Sequence, residues 1–526
     1  MPRVLIADKL SPAAVRIFEE RGIQVDTKTG LSKDDLLKII GDYDGLAVRS
    51  ATKADKDVIA AAKALKVIGR AGIGVDNIDV PAATAAGVVV MNTPFGNSIT
   101  TAEHAIAMMF ALARQLPAAD ASTQAGKWEK NRFMGVELYG KTLGIIGCGN
   151  IGGIVADRAN GLKMKVIAYD PFLSAERAVE IGVEKVELAD LLARADIISL
   201  HTPLTDKTRN ILSREALSKT RKGVMIVNCA RGGLVDEQAL HDFLGAGHVG
   251  GAAFDVFVEE PAKDNVLFNT PGFIATPHLG ASTLEAQENV ALQVAEQMAD
   301  FLLTGAVTNA LNSPSITADE APKLRPYITL AEKLGAFAGQ VMDAGLTSVE
   351  ITYEGDLATV NVRPLTSSAL AGILRPALAE VNIVSAPSVA KARGITVTES
   401  RQELSPTYDS LMRITVAWNG GGFDVAGTVI GGVPRIVQVK GMNLDAPFSP
   451  DMLYVNNWDK PGFIGRLGGV FGDAGVNINT FYLGRTAEVE GADAIALVGV
   501  DQEPDTALVA KVKALPNVKE VRALEF

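Results

Sequence analysis

The sequence predicts an α/β protein built on doubly wound parallel sheets, and three observations carry that expectation. Short apolar runs alternate with amphipathic stretches from residue 3 to residue 279, the pattern of parallel strands joined by helices. A glycine-rich turn, Gly147-Cys148-Gly149-Asn150-Ile151-Gly152, separates one such run from the next helical stretch. An acid, Asp170, closes the following run about 18 residues past the last of these glycines.

Around the turn, Leu143, Ile145 and Ile146 read as a buried strand, and Ile154, Val155 and Ala159 as the apolar face of a helix. Gly147 permits the tight turn, Gly149 lets backbone N–H groups approach a pyrophosphate, and Gly152 lets the helix pack close to the sheet. Phosphates then lie at the positive end of the helix dipole. Asp170 follows a strand over residues 165–169, where a carboxylate can bond both ribose hydroxyls and repel a 2′-phosphate. The expected cofactor is NAD rather than NADP. A bare G-x-G-x-x-G serves packing as readily as binding; strand, helix and acid together make this one a fingerprint.

At 526 residues the chain is too long for one core, and three or four domains are expected. Its formal net charge of −11 argues against a general binder of nucleic-acid backbones. Cys148 and Cys229 form no metal or redox spacing and stand where small buried apolar residues would serve, which suits a reducing cytoplasm. Residues 3–7 begin a strand at once, without a secretory pattern, and the most apolar helical run, 105–113, is too short to span a bilayer. Neither a nucleic-acid nor a membrane partner is expected.

Residues 1–97 read as strands and helices of their own. Arg49 and Ser50 close one apolar strand, and Arg70 precedes Ala71-Gly72-Ile73-Gly74 at the end of another. Strand carboxyl ends border the ligand crevice of an open α/β sheet, so two arginines beside glycine-rich backbone point to an anion site rather than to solvated strand ends. Residues 97–115 form a long helix for which Ser98, Thr100 or Thr101 could be the cap, and residues 126–133 a basic, aromatic loop suited to a subunit contact or a lid. Beyond the fingerprint, strands are expected to end near His201, Cys229-Ala230-Arg231, Glu260 and His278.

Hydride transfer to NAD from an alcohol also needs a base for the hydroxyl proton, usually a histidine near neutral pH. Of five histidines, His104 and His241 lie within helical patterns and His248 in a glycine-rich turn, which leaves His201 and His278 at strand ends. His278 is favoured because Glu260, read as ending the preceding strand, would hold its tautomer and raise its pKa. Arg231, at another strand end, is suited to a substrate carboxylate and the reacting oxygen.

Three runs, Cys229-Ala230-Arg231-Gly232-Gly233, Asp255-Val256-Phe257-Val258-Glu259-Glu260-Pro261 and Pro277-His278-Leu279-Gly280-Ala281, resemble the signatures of the D-isomer-specific 2-hydroxyacid dehydrogenases. Val48-Arg49-Ser50, Gly69-Arg70-Ala71-Gly72 and Asn92-Thr93-Pro94-Phe95-Gly96 are similar to the branch that oxidises 3-phospho-D-glycerate in serine biosynthesis. The resemblance implies Arg231 as the substrate-orienting residue, Glu260 as the acid paired to His278, and His278 as proton carrier. It also implies that Asn150, Ile151, Asp170, Thr202, Cys229, Ala230, Arg231, Asp255, His278, Gly280 and Ala281 line the NAD site. Arg49, Ser50, Arg70 and Gly72 would receive the substrate. The implied topology is a nucleotide-binding domain (98–282) inserted in a flavodoxin-like substrate domain (1–97 and 283–316), with closure of a hinge between them. A homo-oligomer, dimer or tetramer, is also implied.

Residues 317–326, rich in Pro and charge, read as a linker or domain entry. Residues 317–450 resemble the intervening, allosteric substrate-binding domain of the long members of that branch, through Ala392-Arg393-Gly394 and Gly431-Gly432-Val433-Pro434-Arg435. Residues 451–526 resemble an ACT domain, a βαββαβ module that binds small amino acids, with Asp459 and Asn477 where the ligand's polar edges would be held and L-serine as the effector. Both would be α+β regulatory domains. Rival readings are another D-2-hydroxy acid, such as 2-hydroxyglutarate, and a non-catalytic NAD-sensing scaffold on the same fold.

Overall fold

Five parallel strands open the chain: β1 (Arg3–Ile6), β2 (Gln24–Thr27), β3 (Gly45–Val48), β4 (Val67–Arg70) and β5 (Val89–Met91). Their order, β2-β1-β3-β4-β5, is the flavodoxin-like one. The helices between them start on ordinary caps: Ser11, Ser32, Asp55 and Asp79 each accept a backbone N–H in the first turn. Met298, on the helix Leu284–Thr304, packs against this sheet so closely that a β-carbon at Gly69 would lie 2.2 Å from its sulfur.

The second sheet comprises β6 (Thr142–Ile146), β7 (Lys165–Tyr169), β8 (Glu184–Lys185), β9 (Ile197–Leu200), β10 (Val224–Asn228), β11 (Val249–Phe254) and β12 (Phe273–Ala275). It is ordered β12-β11-β10-β9-β6-β7-β8. Chain order reverses between β6 and β9, both parallel to their neighbours, so the crevice beyond their carboxyl ends is the switch point where such sheets bind ligands. Apolar side chains on both faces, Leu143, Ile145 and Val155 on one and Ile198, Ile226 and Leu240 on the other, fill two layers of core.

The computed structural model describes residues 1–342, 345–405, 407–486 and 491–526. Contacts divide the chain into Thr93–Gln293, which holds the second sheet, and a unit made of Met1–Asn92 with Val294–Phe526. The first of these is wider than the expected 98–282 because its margins pack on each other. Thr100 and Thr283 are hydrogen-bonded at 3.3 Å, and a β-carbon at Gly96 would lie 2.7 Å from Val290.

Of the linker or domain entry expected over 317–326, the linker is corrected: the helix Ala321–Val341 starts inside the stretch and runs through Pro326. A proline in the interior normally breaks a helix. Here burial of Leu330, Leu334, Phe337 and Val341 outweighs that cost. The helix crosses Arg363–Leu374 at very close range, since β-carbons at Gly335 and Gly339 would meet the carbonyls of Ala369 and Ile373 at 2.2 and 2.4 Å. The pair covers a sheet of β13 (Leu346–Gly355), β14 (Thr396–Gln402), β15 (Ser410–Trp418), β16 (Gly421–Ile430), β17 (Val433–Val439) and β18 (Met442–Pro447), ordered β14-β13-β15-β16-β17-β18.

The last segment is β19 (Asp451–Trp458), the helix Phe463–Asp473, β20 (Ile478–Arg485), β21 (Asp493–Val500), the helix Thr506–Lys513 and β22 (Val518–Glu525), a βαββαβ order with sheet β20-β21-β19-β22. Leu453, Val455 and Val498 face the two helices. The other face, with Tyr454 and Leu497, shares a core with Phe337 and Phe423 of the preceding segment.

Candidate active site

The glycine turn lies between β6 and the helix Asn150–Gly161, and each glycine has its own reason. Gly147 has φ +90°, and a β-carbon there would lie 2.7 Å from the His201 carbonyl, next to the Thr202 N–H. At Gly152 a β-carbon would lie 2.1 Å from the Gly147 carbonyl. Gly149, at the N-cap, has nothing within 4 Å of that position, and no side chain caps the helix. The first turn, with exposed Asn150 and half-buried Ile151, thus leaves its N–H groups open to a phosphate. One residue past β7, the Asp170 carboxylate accepts the N–H groups of Cys148 and Phe172, each at 2.8 Å, so this acid is tied to the turn itself. An open N-terminus and a fixed acid fit a dinucleotide, and NAD is the cofactor of this domain.

The residues expected to carry the proton lie beyond β10, β11 and β12. Arg231, Glu260 and His278 do not end strands as expected; they lie three, six and three residues past Asn228, Phe254 and Ala275, on loops. The loops bring His278 Nδ1 to 2.6 Å from Glu260 Oε2, while Glu260 Oε1 accepts the Phe257 N–H at 3.0 Å. The bond from Glu260 raises the His278 pKa above its usual value, against burial and the nearby Arg231 guanidinium. Burial pushes the Glu260 carboxyl up, but His278 and the Phe257 N–H outweigh it and hold the carboxyl below its usual value. Arg231 bonds the Ala230 carbonyl at 2.7 Å through Nη1.

Behind this pair, fully buried Asp255 accepts the N–H groups of Leu279 and Gly280 at 2.7 and 2.8 Å, and Ala281 follows. Cys229 is buried beside Asp255, and burial pushes its thiol far up; Cys148 is pushed up to about 11 by burial and then by Asp170. His201, the rival base, is a different case. Its Nε2 meets Ser199 at 2.8 Å, its Nδ1 is buried without a partner among the described residues, and burial pushes it down to about 4, so it stays neutral.

The helix expected over 97–115 spans Ser98–Ala113, and none of the three proposed caps acts as one. Ser98 Oγ donates to the Pro94 carbonyl, and Thr101 Oγ1 to the carbonyls of Asn97 and Gly280. His104, set aside in the sequence as lying within a helical pattern, is 3.2 Å from Thr276 and 3.3 Å from Asp255. Its sequence signal was the three-residue spacing from Thr101 on one helix face.

In the other unit, β3 and β4 pair Val48 with Arg70, so Arg49 follows at the same sheet edge. Gly72, with φ +144°, lies so close to the Arg70 guanidinium that a β-carbon would sit 1.8 Å from its Nη1. Ser50 is exposed beside Arg49, whose N–H is held by Asp8 at 2.7 Å. In the final segment Asp459 and Asn477 each have a protein partner, Arg485 at 3.3 Å and Asp501 at 2.6 Å. Arg435 is paired with Asp445, and Arg393 caps the helix Ala386–Ala392. No group of metal-ligating side chains occurs among the described residues, and no helix there is long and apolar enough to cross a membrane.

Comparison with known proteins agrees with this fold. Residues 106–280 match the NAD-binding domain of the D-isomer specific 2-hydroxyacid dehydrogenases, 323–440 the D-3-phosphoglycerate dehydrogenase intervening domain, and 455–517 the ACT domain. The D-3-phosphoglycerate dehydrogenase of Archaeoglobus fulgidus is 43% identical over 528 residues, covering 100% of both chains. That of Bacillus subtilis is 42% identical over 529 residues with the same coverage. The NAD+-bound 3-phosphoglycerate dehydrogenase of Entamoeba histolytica aligns with a TM-score of 0.51 at 33% identity, over 59% of this chain and 99% of that one. Likeness of this degree across the whole chain makes it a member of the D-3-phosphoglycerate dehydrogenase family.

Proposed function

We propose that the protein oxidises 3-phospho-D-glycerate to 3-phosphohydroxypyruvate with NAD, the first committed step toward L-serine. The contact between His278 Nδ1 and Glu260 Oε2 carries the reading, because it leaves Nε2 for the substrate and favours the charged imidazole once a proton has arrived. The substrate's C–H bond breaks with its electron pair, and bound NAD supplies the acceptor for that hydride. The hydroxyl proton goes to His278 Nε2 as the carbonyl forms. Arg231 holds the substrate carboxylate and the reacting oxygen. Arg49 and Arg70 supply cationic partners for the phosphate, with Ser50 and the Gly72 backbone beside them.

The cofactor rests on Gly147, Gly149, Asn150, Ile151 and Gly152 at the phosphates and on Asp170 at the ribose. Thr202, Cys229, Ala230, Asp255, Gly280 and Ala281 line the remainder. The domains proposed are 1–97 with 283–316, 98–282, 317–450 and 451–526. L-Serine acts through Asp459 and Asn477: its amine takes the place of Arg485 at the Asp459 carboxylate, and its carboxylate the place of Asp501 at the Asn477 amide. A cytoplasmic homo-oligomer, dimer or tetramer, is the working form; the free, buried state of both cysteines supports a reducing compartment.

NAD reduction followed at the nicotinamide absorbance, with 3-phosphoglycerate against lactate, malate and 2-hydroxyglutarate, tests the reaction. Efficient turnover of the phosphorylated acid alone is expected. No turnover of any acid overturns the reading, and equal turnover of unphosphorylated acids removes the roles given to Arg49 and Arg70. Serine titrated into the same assay tests the effector.

A further inference from the structure

The helix Ser98–Ala113 grips the segment bearing His278 from both sides. Thr101 and His104, three residues apart, share one face of that helix. Thr101 Oγ1 donates to the Gly280 carbonyl at 3.0 Å, downstream of His278. Upstream, His104 Nε2 lies 3.2 Å from Thr276 Oγ1 and 3.3 Å from Asp255 Oδ1. Asp255 is the hub of the arrangement. Its carboxylate takes the Thr276 hydroxyl at 2.6 Å with the Leu279 and Gly280 N–H groups, and its carbonyl takes the His278 N–H at 2.9 Å. His278 itself has φ +55°, a left-handed state that residues with a β-carbon rarely adopt, and it is kept there by neighbours fixed on either side.

The chemistry fixes the tautomer of His104. The Thr276 hydroxyl proton is committed to Asp255, and an ionised carboxylate can only accept, so His104 Nε2 meets it as a donor. Burial pushes the Asp255 carboxyl up; His104, Thr276 and the Leu279 N–H outweigh it and hold the carboxyl below its usual value. The charged groups facing His278 are Glu260, Asp255 and Arg231, the first two raising its pKa and the last lowering it. His104 faces Asp255.

We infer that His104 is a positioning residue for proton transfer: by donating from Nε2 to Asp255 beside Thr276, it locks the 276–280 segment and so sets where the His278 imidazole stands. The inference rests on His278 being the proton carrier. The test compares full-length His104→Leu, His104→Gln and His278→Ala proteins in NAD reduction with 3-phosphoglycerate across the pH range. Leucine fills the space without donating; glutamine retains an N–H at a similar reach. In His104→Leu, kcat falls on the order of tenfold, as a small misplacement of a reacting group would cause, while the KM for NAD is unchanged. The acid limb of kcat/KM moves to lower pH, because a buried carboxylate short of a donor takes up a proton more readily and supports the imidazolium less. His104→Gln restores most of kcat and returns the limb. An unaltered kcat and limb in His104→Leu, with His278→Ala inactive, overturns this inference and leaves the role of His278 standing. Equal losses in both His104 variants with no movement of the limb also overturn it. Full turnover by His278→Ala overturns the inference together with the reading beneath it.

Discussion

His278 Nδ1 lies 2.6 Å from Glu260 Oε2, and the two residues pull each other's pKa values apart, the imidazole upward and the carboxyl downward. Oxidation needs His278 neutral to accept a proton, so kcat/KM in that direction rises with pH through the imidazole's raised value. Reduction needs it charged. In Glu260→Gln the imidazole falls back, so the oxidation limb moves to lower pH and reduction at neutral pH drops as a smaller fraction of the imidazole is charged. Initial rates in both directions across the pH range check this, and limbs that stay in place remove Glu260 from the role.

The same pair predicts how stability follows pH. The raised His278 value means its contribution is whole below the ordinary imidazole value of 6.5 and is lost as pH rises through the folded value. The lowered Glu260 value means its contribution is present above the ordinary 4.5 and is lost as pH falls through the folded value. The melting temperature of the native protein therefore exceeds that of Glu260→Gln by most between about pH 4.5 and pH 6.5, and the gap narrows on both sides. Both groups are partly exposed, so the gap is small, and melts at about four pH values with equal ionic strength resolve it. A gap that grows toward alkaline pH contradicts the assignment.

Removing the imidazole separates chemistry from binding. His278→Ala loses turnover on the order of a thousandfold, the range of a positioned acid–base group. NADH affinity, measured by fluorescence titration, stays close to that of the native protein, because the contacts proposed for the pyrophosphate and ribose are at the glycine turn and Asp170, after β6 and β7. Turnover within about twofold of native would deny His278 the proton.

The proposed ribose contact asks Asp170 to discriminate between cofactors while its carboxylate is tied to the glycine turn by the Cys148 N–H. Asp170→Asn keeps an acceptor for one of the Cys148 and Phe172 N–H groups but removes the charge. NAD affinity falls about tenfold, the worth of a charge-assisted hydrogen bond, and exclusion of NADP relaxes as a 2′-phosphate no longer meets a carboxylate. The ratio of kcat/KM for the two cofactors measures it; an unaltered ratio rejects the ribose contact.

What could be read from the sequence was set by local rules. Glycine spacing, apolar alternation and the acid at Asp170 follow the chain directly, and the strands and turn they foretold are there. The helix Leu116–Gln124 escaped because the chain reverses at Gln115 in a left-handed state, φ 54°, that no turn residue announces. The helix over Pro326 escaped because its stability comes from distant partners, Ala369 and Ile373. Glu260 and His278 were chosen as strand ends, yet their meeting depends on loops whose paths the alternation does not encode. His104 was passed over because its partners, Asp255 and Thr276, lie about 150 and 170 positions away in sequence.

Gly149 and Gly152 answer to different demands, and alanine at each separates them. A β-carbon at Gly152 would lie 2.1 Å from the Gly147 carbonyl, a backbone atom that cannot move without dragging the turn. Gly152→Ala therefore loses about 1–3 kcal/mol of stability from overpacking, lowering the melting temperature even without cofactor, and NAD affinity falls with it. At Gly149 the same methyl meets nothing within 4 Å, so Gly149→Ala without NAD melts closer to native than Gly152→Ala does. The methyl instead occupies the approach to the bare helix N-terminus, and NAD binds on the order of tenfold or more weakly. Thermal melts with and without NAD read both effects together: native protein gains the most from NAD, Gly149→Ala starts above Gly152→Ala yet gains little, and Gly152→Ala starts lowest. A Gly149→Ala protein that gains as much from NAD as native would mean that the phosphates do not sit on that open face.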